Sequence, residues 1–249
     1  MGSRTPAIVV LFEDADLVAV AKPPGLPTAN APRGTESLYH WLARRPPAGR
    51  SPTSARTFVG IVSRLDAPVS GVVVAARSPA AAADLAEQFR SRTVEKEYAA
   101  LVGGRFPAAV GEWREWHDAL ARADDERLSR IRLGDAPLDD HDADGAPSDW
   151  KAAELRARVV RRGGEVSLVE LLPATGRRHQ LRAQLAAHGC PIVGDRTYGS
   201  RLPFPDGIAL HARRLDLRHP RTGEPLRLTA DWPAAWLGRY RSLLAPGAP

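Results

Sequence analysis

The residues best suited to chemistry fall in two short segments. The first, Ser63-Arg64-Leu65-Asp66-Ala67-Pro68-Val69-Ser70-Gly71, lies between apolar runs at 58–62 and 71–76. A rigid loop that displays one guanidinium and one carboxylate between buried strands is where a sheet protein places reacting groups. Asp-Ala-Pro is also an ordinary turn former, so the loop alone selects no reaction. The second segment, Leu172-Pro173-Ala174-Thr175-Gly176-Arg177-Arg178-His179-Gln180-Leu181-Arg182, runs from a strand into a helix start crowded with donors. Backbone N–H groups at a helix start, with Arg177, Arg178 and Arg182 beside them, suit an anion; a solvated basic helix end has the same composition.

No common cofactor box accompanies these segments. The sequence contains no G-x-x-x-x-G-K, no dinucleotide fingerprint, no H-E-x-x-H and no G-x-S-x-G. Asp140-x-Asp142-x-Asp144-Gly145 copies the opening of a calcium loop, but its twelfth position is Lys151, a cation where a bidentate glutamate is needed. Ser148-x-x-Lys151 matches an acyl-transferase spacing without the companion motifs. The lone Cys190 can form no internal disulfide, which fits a reducing cytoplasm, and no Cys/His spacing suits zinc. The expected chemistry is therefore done by side chains, with no metal and no cofactor.

The elements that must position these residues read as short strands with a few helices. Strands are expected at 8–12, 17–21, 58–62, 71–76, 95–102, 153–161, 166–172, 210–217 and 225–230. Helices are expected at 37–45, 79–89, 178–188 and 233–244. The unbroken apolar runs at 58–62 and 71–76 suit strands buried on both faces. Strands do not alternate regularly with helices, which favours an α+β fold with a mixed, mainly antiparallel central sheet, flanked by helices and loops. One catalytic domain over 1–249 is expected. Residues 111–151 read as a polar surface insertion, because 134–149 holds six aspartates and no Lys or Arg. No run of about twenty apolar residues suggests a transmembrane helix.

Of 249 residues, Lys+Arg number 35 and Asp+Glu 29, a net +6. Lys22, Lys96 and Lys151 are the lysines, so the other 32 cations are arginine. Guanidinium forks suit phosphates and base edges, though an Arg- and Ala-rich chain also follows from a GC-rich genome.

Read together, the motifs resemble those of the RluA-type pseudouridine synthases, in order along most of the chain. Lys22-Pro-Pro-Gly25 resembles the early K-P-x-G motif, and Arg64-Leu65-Asp66 with Ser70-Gly71 resembles the catalytic H-R-L-D-x-x-T-S-G loop. Lys96-Glu97-Tyr98-Ala99-Ala100-Leu101-Val102 is similar to K-x-Y-x-A-x-V, and 175–182 to T-G-R-x-H-Q-I-R. Pro191-Ile192-Val193-Gly194-Asp195, Tyr198-Gly199, Leu210-His211-Ala212 and His219-Pro220 continue the series. Ser63 stands where the family usually has histidine, and Ala67-Pro68-Val69 replaces Lys-Asp-Thr.

The resemblance implies the pseudouridine synthase catalytic fold, without the N-terminal S4 domain of many relatives, and isomerisation of uridine to pseudouridine in RNA. Ribosomal RNA is expected ahead of transfer RNA, and an inactive RNA-binding relative is the alternative. It selects Asp66 as the reacting carboxylate, acting as nucleophile or base. It makes Arg182 the ion-pair partner of Asp66 and Tyr98 the ring against the uracil. Arg64 would fill the space left by a flipped-out base. Arg177, His179, Gln180 and Lys22 would contact RNA. A cytoplasmic monomer, with RNA as partner and no membrane, completes the expectation.

Overall fold

The computed structural model describes residues 7–46, 57–123, 128–134 and 149–244. The chain divides into two compact units: residues 1–96 with 211–234, and residues 97–210 with 235–249. The calcium-like and S-x-x-K patterns lie mostly or partly outside the described residues, as does most of the acidic run.

In the first unit, β1 (Val9–Glu13) and β2 (Leu17–Lys22) form a hairpin. Asp14 closes its turn, its Oδ1 accepting from the N–H groups of Asp16 and Leu17. β2 pairs antiparallel with β4 (Ser70–Ala76), and β4 pairs in parallel with β10 (Leu210–Arg218) through His211 opposite Ser70. β3 (Gly60–Ile61) adds to the far half of β4, and β11 (Pro225–Thr229) pairs with β10. This unit is therefore mixed but mainly antiparallel.

All seven residues of β4 are buried because both its faces are covered. Val72, Val74 and Ala76 pack with Leu17, Ala19 and the Ala81 and Leu85 side chains of α2 (Pro79–Arg90). Val73 and Ala75 pack on the opposite face with Val18, Val20 and the Leu38 and Leu42 side chains of α1 (Leu38–Arg44). Ser37 and Ser78 cap the two helices, each accepting a backbone N–H with its hydroxyl. Gly71 has φ +122, and a Cβ there would lie 2.3 Å from the Ala212 carbonyl oxygen. Only glycine lets β4 and β10 meet at this point.

The second unit is an antiparallel sheet in the order β5 (Glu95–Gly103), β9 (Val166–Pro173), β8 (Lys151–Gly163), β6 (Trp113–Arg122), β7 (Ser129–Arg132). The insertion reading of 111–151 is thus corrected: 113–122 and 129–132 are integral strands. On β6, Trp116 and all of residues 118–121 are buried, and the sequence reading missed this strand because Asp118 breaks the apolar run. α3 (Gln180–Ala187) packs Ala183 against Leu120 and Ala153. The helix expected at 233–244 is two short ones, α4 (Ala234–Leu237) and α5 (Arg241–Leu244), interrupted at Gly238, a poor helix former.

Candidate active site

Asp66 sits half-buried in the loop before β4. Both its neighbours are clamped by residues 22–28. The Leu65 N–H donates to Thr28 Oγ1 at 3.1 Å, and that hydroxyl donates to the Leu65 carbonyl at 2.7 Å. On the other side the Ala67 carbonyl accepts from Gly25 N–H at 2.8 Å and from Lys22 Nζ at 3.2 Å. Val69 N–H closes the turn on the Asp66 carbonyl at 3.0 Å. Ser63 ties down the loop start, its Oγ accepting from Val74 N–H at 3.0 Å and donating to the Val74 carbonyl at 3.3 Å. The departure from histidine at 63 therefore still anchors the loop. At the loop end the buried Ser70 hydroxyl lies 2.9 Å from His211 Nδ1. Arg64 is exposed.

Lys22 is a correction to the sequence reading. It is only 1% exposed, and its ammonium also donates to the carbonyls of Pro23 at 2.9 Å and Leu26 at 2.8 Å. A cation spent on three carbonyls braces the loop and does not face RNA. Burial lowers its pKa to about 7 against the opposing pull of the Asp66 carboxylate.

In the second unit, Tyr98 lies half-buried on β5 opposite Leu171. Arg182, on α3, makes a buried two-pronged ion pair with Asp195, Nε to Oδ2 at 2.7 Å and Nη2 to Oδ1 at 2.9 Å. Asp195 is a partner that the sequence reading missed; its place in the P-I-V-G-D block was the available signal. The Arg182 guanidinium also lies over the Tyr198 ring, 5.0 Å from its centroid.

Gln180 is a second correction. It is 4% exposed, with Oε1 accepting from Thr175 Oγ1 at 2.8 Å and Arg177 N–H at 2.9 Å, and Nε2 donating to the Glu154 carbonyl at 3.1 Å. Its amide builds the 175–180 turn and is not displayed for RNA. Arg177 is half-buried, its Nε donating to the Ala152 carbonyl at 2.9 Å, while Arg178 is exposed. His179 occupies the left-handed region at φ +53, with its Nδ1 3.1 Å from Tyr198 Oη.

One further cluster offers potential metal ligands: Asp14, Asp16 and His219, with ligand atoms within 4.8 Å of one another. His219 Nδ1 accepts backbone N–H groups from Arg221 and Thr222, which leaves the proton on Nε2 to donate to Asp14 Oδ2 at 2.7 Å. Asp16 Oδ2 accepts from Arg221 Nε at 2.6 Å. The cluster reads as an internally satisfied brace between two turns. Among the described residues no helix is long and apolar enough to cross a membrane.

An α+β frame that clamps an Arg-Leu-Asp loop belongs to the enzyme type that the motifs indicate. Residues 16–187 match the family described as RNA pseudouridylate synthase, and the chain belongs to that family. It is 33% identical to the ribosomal large subunit pseudouridine synthase D of Xanthomonas campestris pv. campestris, over 90% of this chain and 66% of that one. It is 34% identical to the tRNA pseudouridine synthase C of Yersinia pestis, over 92% of this chain and 88% of that one. The chain spans about two thirds of the length of the first of these relatives. The solved structure of human RNA pseudouridylate synthase domain containing 4 superposes with a TM-score of 0.68 at 25% identity, covering 94% of this chain and 93% of that one.

Proposed function

We propose that the protein isomerises uridine to pseudouridine within RNA, with Asp66 as the carboxylate that acts on the nucleotide. The observation that carries this reading is the clamp on Asp66, whose two neighbours are held by Thr28, Gly25 and Lys22. A reacting group gains most when its backbone cannot wander. The isomerisation breaks the C1′–N1 bond and joins C5 to C1′, so no atoms are gained or lost and side chains suffice. The target uridine must leave the base stack, at a cost of a few kcal/mol that phosphate contacts offset.

In this reading Arg64 fills the vacated stack, which its exposure supports. Tyr98 supplies the ring against the uracil, and Arg182 is the further catalytic residue. Arg177 and His179 contact RNA. Ribosomal RNA is the proposed target class, in line with the relative from Xanthomonas campestris, and the relative from Yersinia pestis makes transfer RNA the comparison.

Asp66→Ala should abolish pseudouridine formation while RNA binding persists. Retained activity in that variant would sink the assignment. Chemical mapping of pseudouridine in RNA from cells with and without the gene identifies the target; loss confined to a transfer RNA site would overturn the ribosomal choice.

A further inference from the structure

We propose that Asp195 is a positioning residue for the isomerisation, whose carboxylate fixes the plane of the Arg182 guanidinium and acts on the reaction through that group. The effect on catalysis rests on the proposed role of Arg182.

A guanidinium is planar and sits on a flexible stem, so two parallel bonds to one carboxylate set both its position and its plane. Arg182 Nε and Nη2 make these bonds to Asp195 Oδ2 at 2.7 Å and Oδ1 at 2.9 Å, and the Tyr198 ring lies against the guanidinium. With two of its nitrogens in the fork, the direction of the third, Nη1, is set as well. Arg182 is 6% exposed and Asp195 1%. A guanidinium buried to that degree is costly without a counter-charge, which the carboxylate supplies. Desolvation offsets much of the attraction in a buried pair, so orientation is the larger consequence of this fork.

The carboxylate is itself held by its backbone. Asp195 N–H donates to the Ile192 carbonyl at 2.9 Å, and the Asp195 carbonyl accepts from Tyr198 N–H at 3.1 Å and Ser200 N–H at 3.0 Å. One turn therefore delivers both the carboxylate and the Tyr198 ring to the guanidinium. Gly194, just before it, has φ +87, and a Cβ there would lie 2.6 Å from Phe204 Cβ, so only glycine admits this path. The preceding residues rest on β5: Val193 N–H donates to the Leu101 carbonyl at 2.9 Å, and Ile192 bridges Val102. Tyr98 stands on that same strand. Asp195 thus references Arg182 to the strand that carries the other proposed catalytic side chain of this unit.

Single-turnover rates, with enzyme in saturating excess over RNA, test the role without depending on the fraction of folded enzyme. Asp195→Asn keeps the shape and removes the charge; it should lower the rate constant roughly ten- to hundredfold while RNA affinity changes less than about threefold. Asp195→Glu keeps the charge, displaces the fork by one methylene and should slow the reaction less. Adding Asp195→Asn to Arg182→Met should cause no further loss, since Asp195 acts through the guanidinium. An unchanged rate constant in Asp195→Asn, or in Asp195→Glu where Asp195→Asn does not fold, would overturn the proposal, as would a further loss in the double variant. A wild-type rate constant in Arg182→Met would instead refute the catalytic reading of Arg182. The fork is also read without RNA, by side-chain 15N NMR with Arg182 identified by the resonance lost in Arg182→Met. Its Nε–H should exchange slowly with water in the wild-type chain and faster in Asp195→Asn. Fast exchange in the wild-type chain would refute the fork even if the chain made no pseudouridine.

Discussion

Lys22 shows how much one side chain can hold. Its ammonium joins the carbonyls of Pro23 and Leu26 to that of Ala67, 45 residues away, and so couples the end of β2 to the Asp66 loop. Lys22→Met keeps the length and removes the donors. It should cost about 1–3 kcal/mol of stability and lower activity through the loop. The pH dependence has a definite sign. Folding lowers the pKa from the ordinary 10.5 to about 7, so between those values the unfolded chain binds more protons. Wild-type stability should therefore rise relative to Lys22→Met as the pH climbs from about 7 toward 10.5, read by urea unfolding across that interval. A flat difference would show that Lys22 keeps the same charge in both states. The charge-bearing residue types at 64 and 66 were legible in the sequence, whereas the burial of Lys22 and Gln180 was not. A lysine and a glutamine are ordinarily solvated, and only the surrounding carbonyls and N–H groups make their burial affordable.

At the scale of elements, β6 carries the clearest lesson. Its inward Asp118 hides a strand in what reads as a polar stretch, yet the carboxylate is fully used. Gln184 Nε2 donates to Oδ2 at 2.8 Å, His188 Nε2 lies 3.1 Å from the same oxygen, and Gly134 N–H donates to Oδ1 at 3.0 Å. These bonds join β6 to α3, and His188 stacks on Trp116 with ring centroids 3.9 Å apart. Burial alone would raise the Asp118 pKa; the bonds from His188, Gln184 and Gly134 outweigh it and hold the carboxyl below its ordinary value. A carboxylate with a lowered folded pKa stabilises the fold above its unfolded value of 3.8, and that contribution disappears as the pH falls through the folded value. Asp118→Asn should cost about 1–3 kcal/mol at neutral pH and flatten the acid limb of the stability curve. Thermal unfolding of both proteins from neutral to strongly acidic pH measures this; parallel curves would contradict it. By contrast β2, β4, α1 and α2 were legible, because continuous apolar runs and serine caps are local signals.

For the whole molecule, the net charge of +6 and the abundance of arginine bear on RNA. Some arginines pair internally, Arg77 with Glu13 and Arg158 with Glu170. Affinity should still fall steeply with salt, since phosphate contacts release counterions. A protein neutralising about four phosphates loses roughly fiftyfold between about 50 and 200 mM salt. Filter binding across that range checks it, and a salt-independent affinity would argue against phosphate contacts. Sequence by itself determined the family motifs, the Asp66 loop between its apolar strands and the α+β class, since each is written in neighbouring residues. The tertiary structure decided the division into interleaved units, the burial of Lys22 and Gln180, the pairing of Arg182 with Asp195 and the link from Tyr198 to His179. Those outcomes depend on desolvation and hydrogen-bond satisfaction, which are properties of the groups that packing brings together and not of any residue type alone.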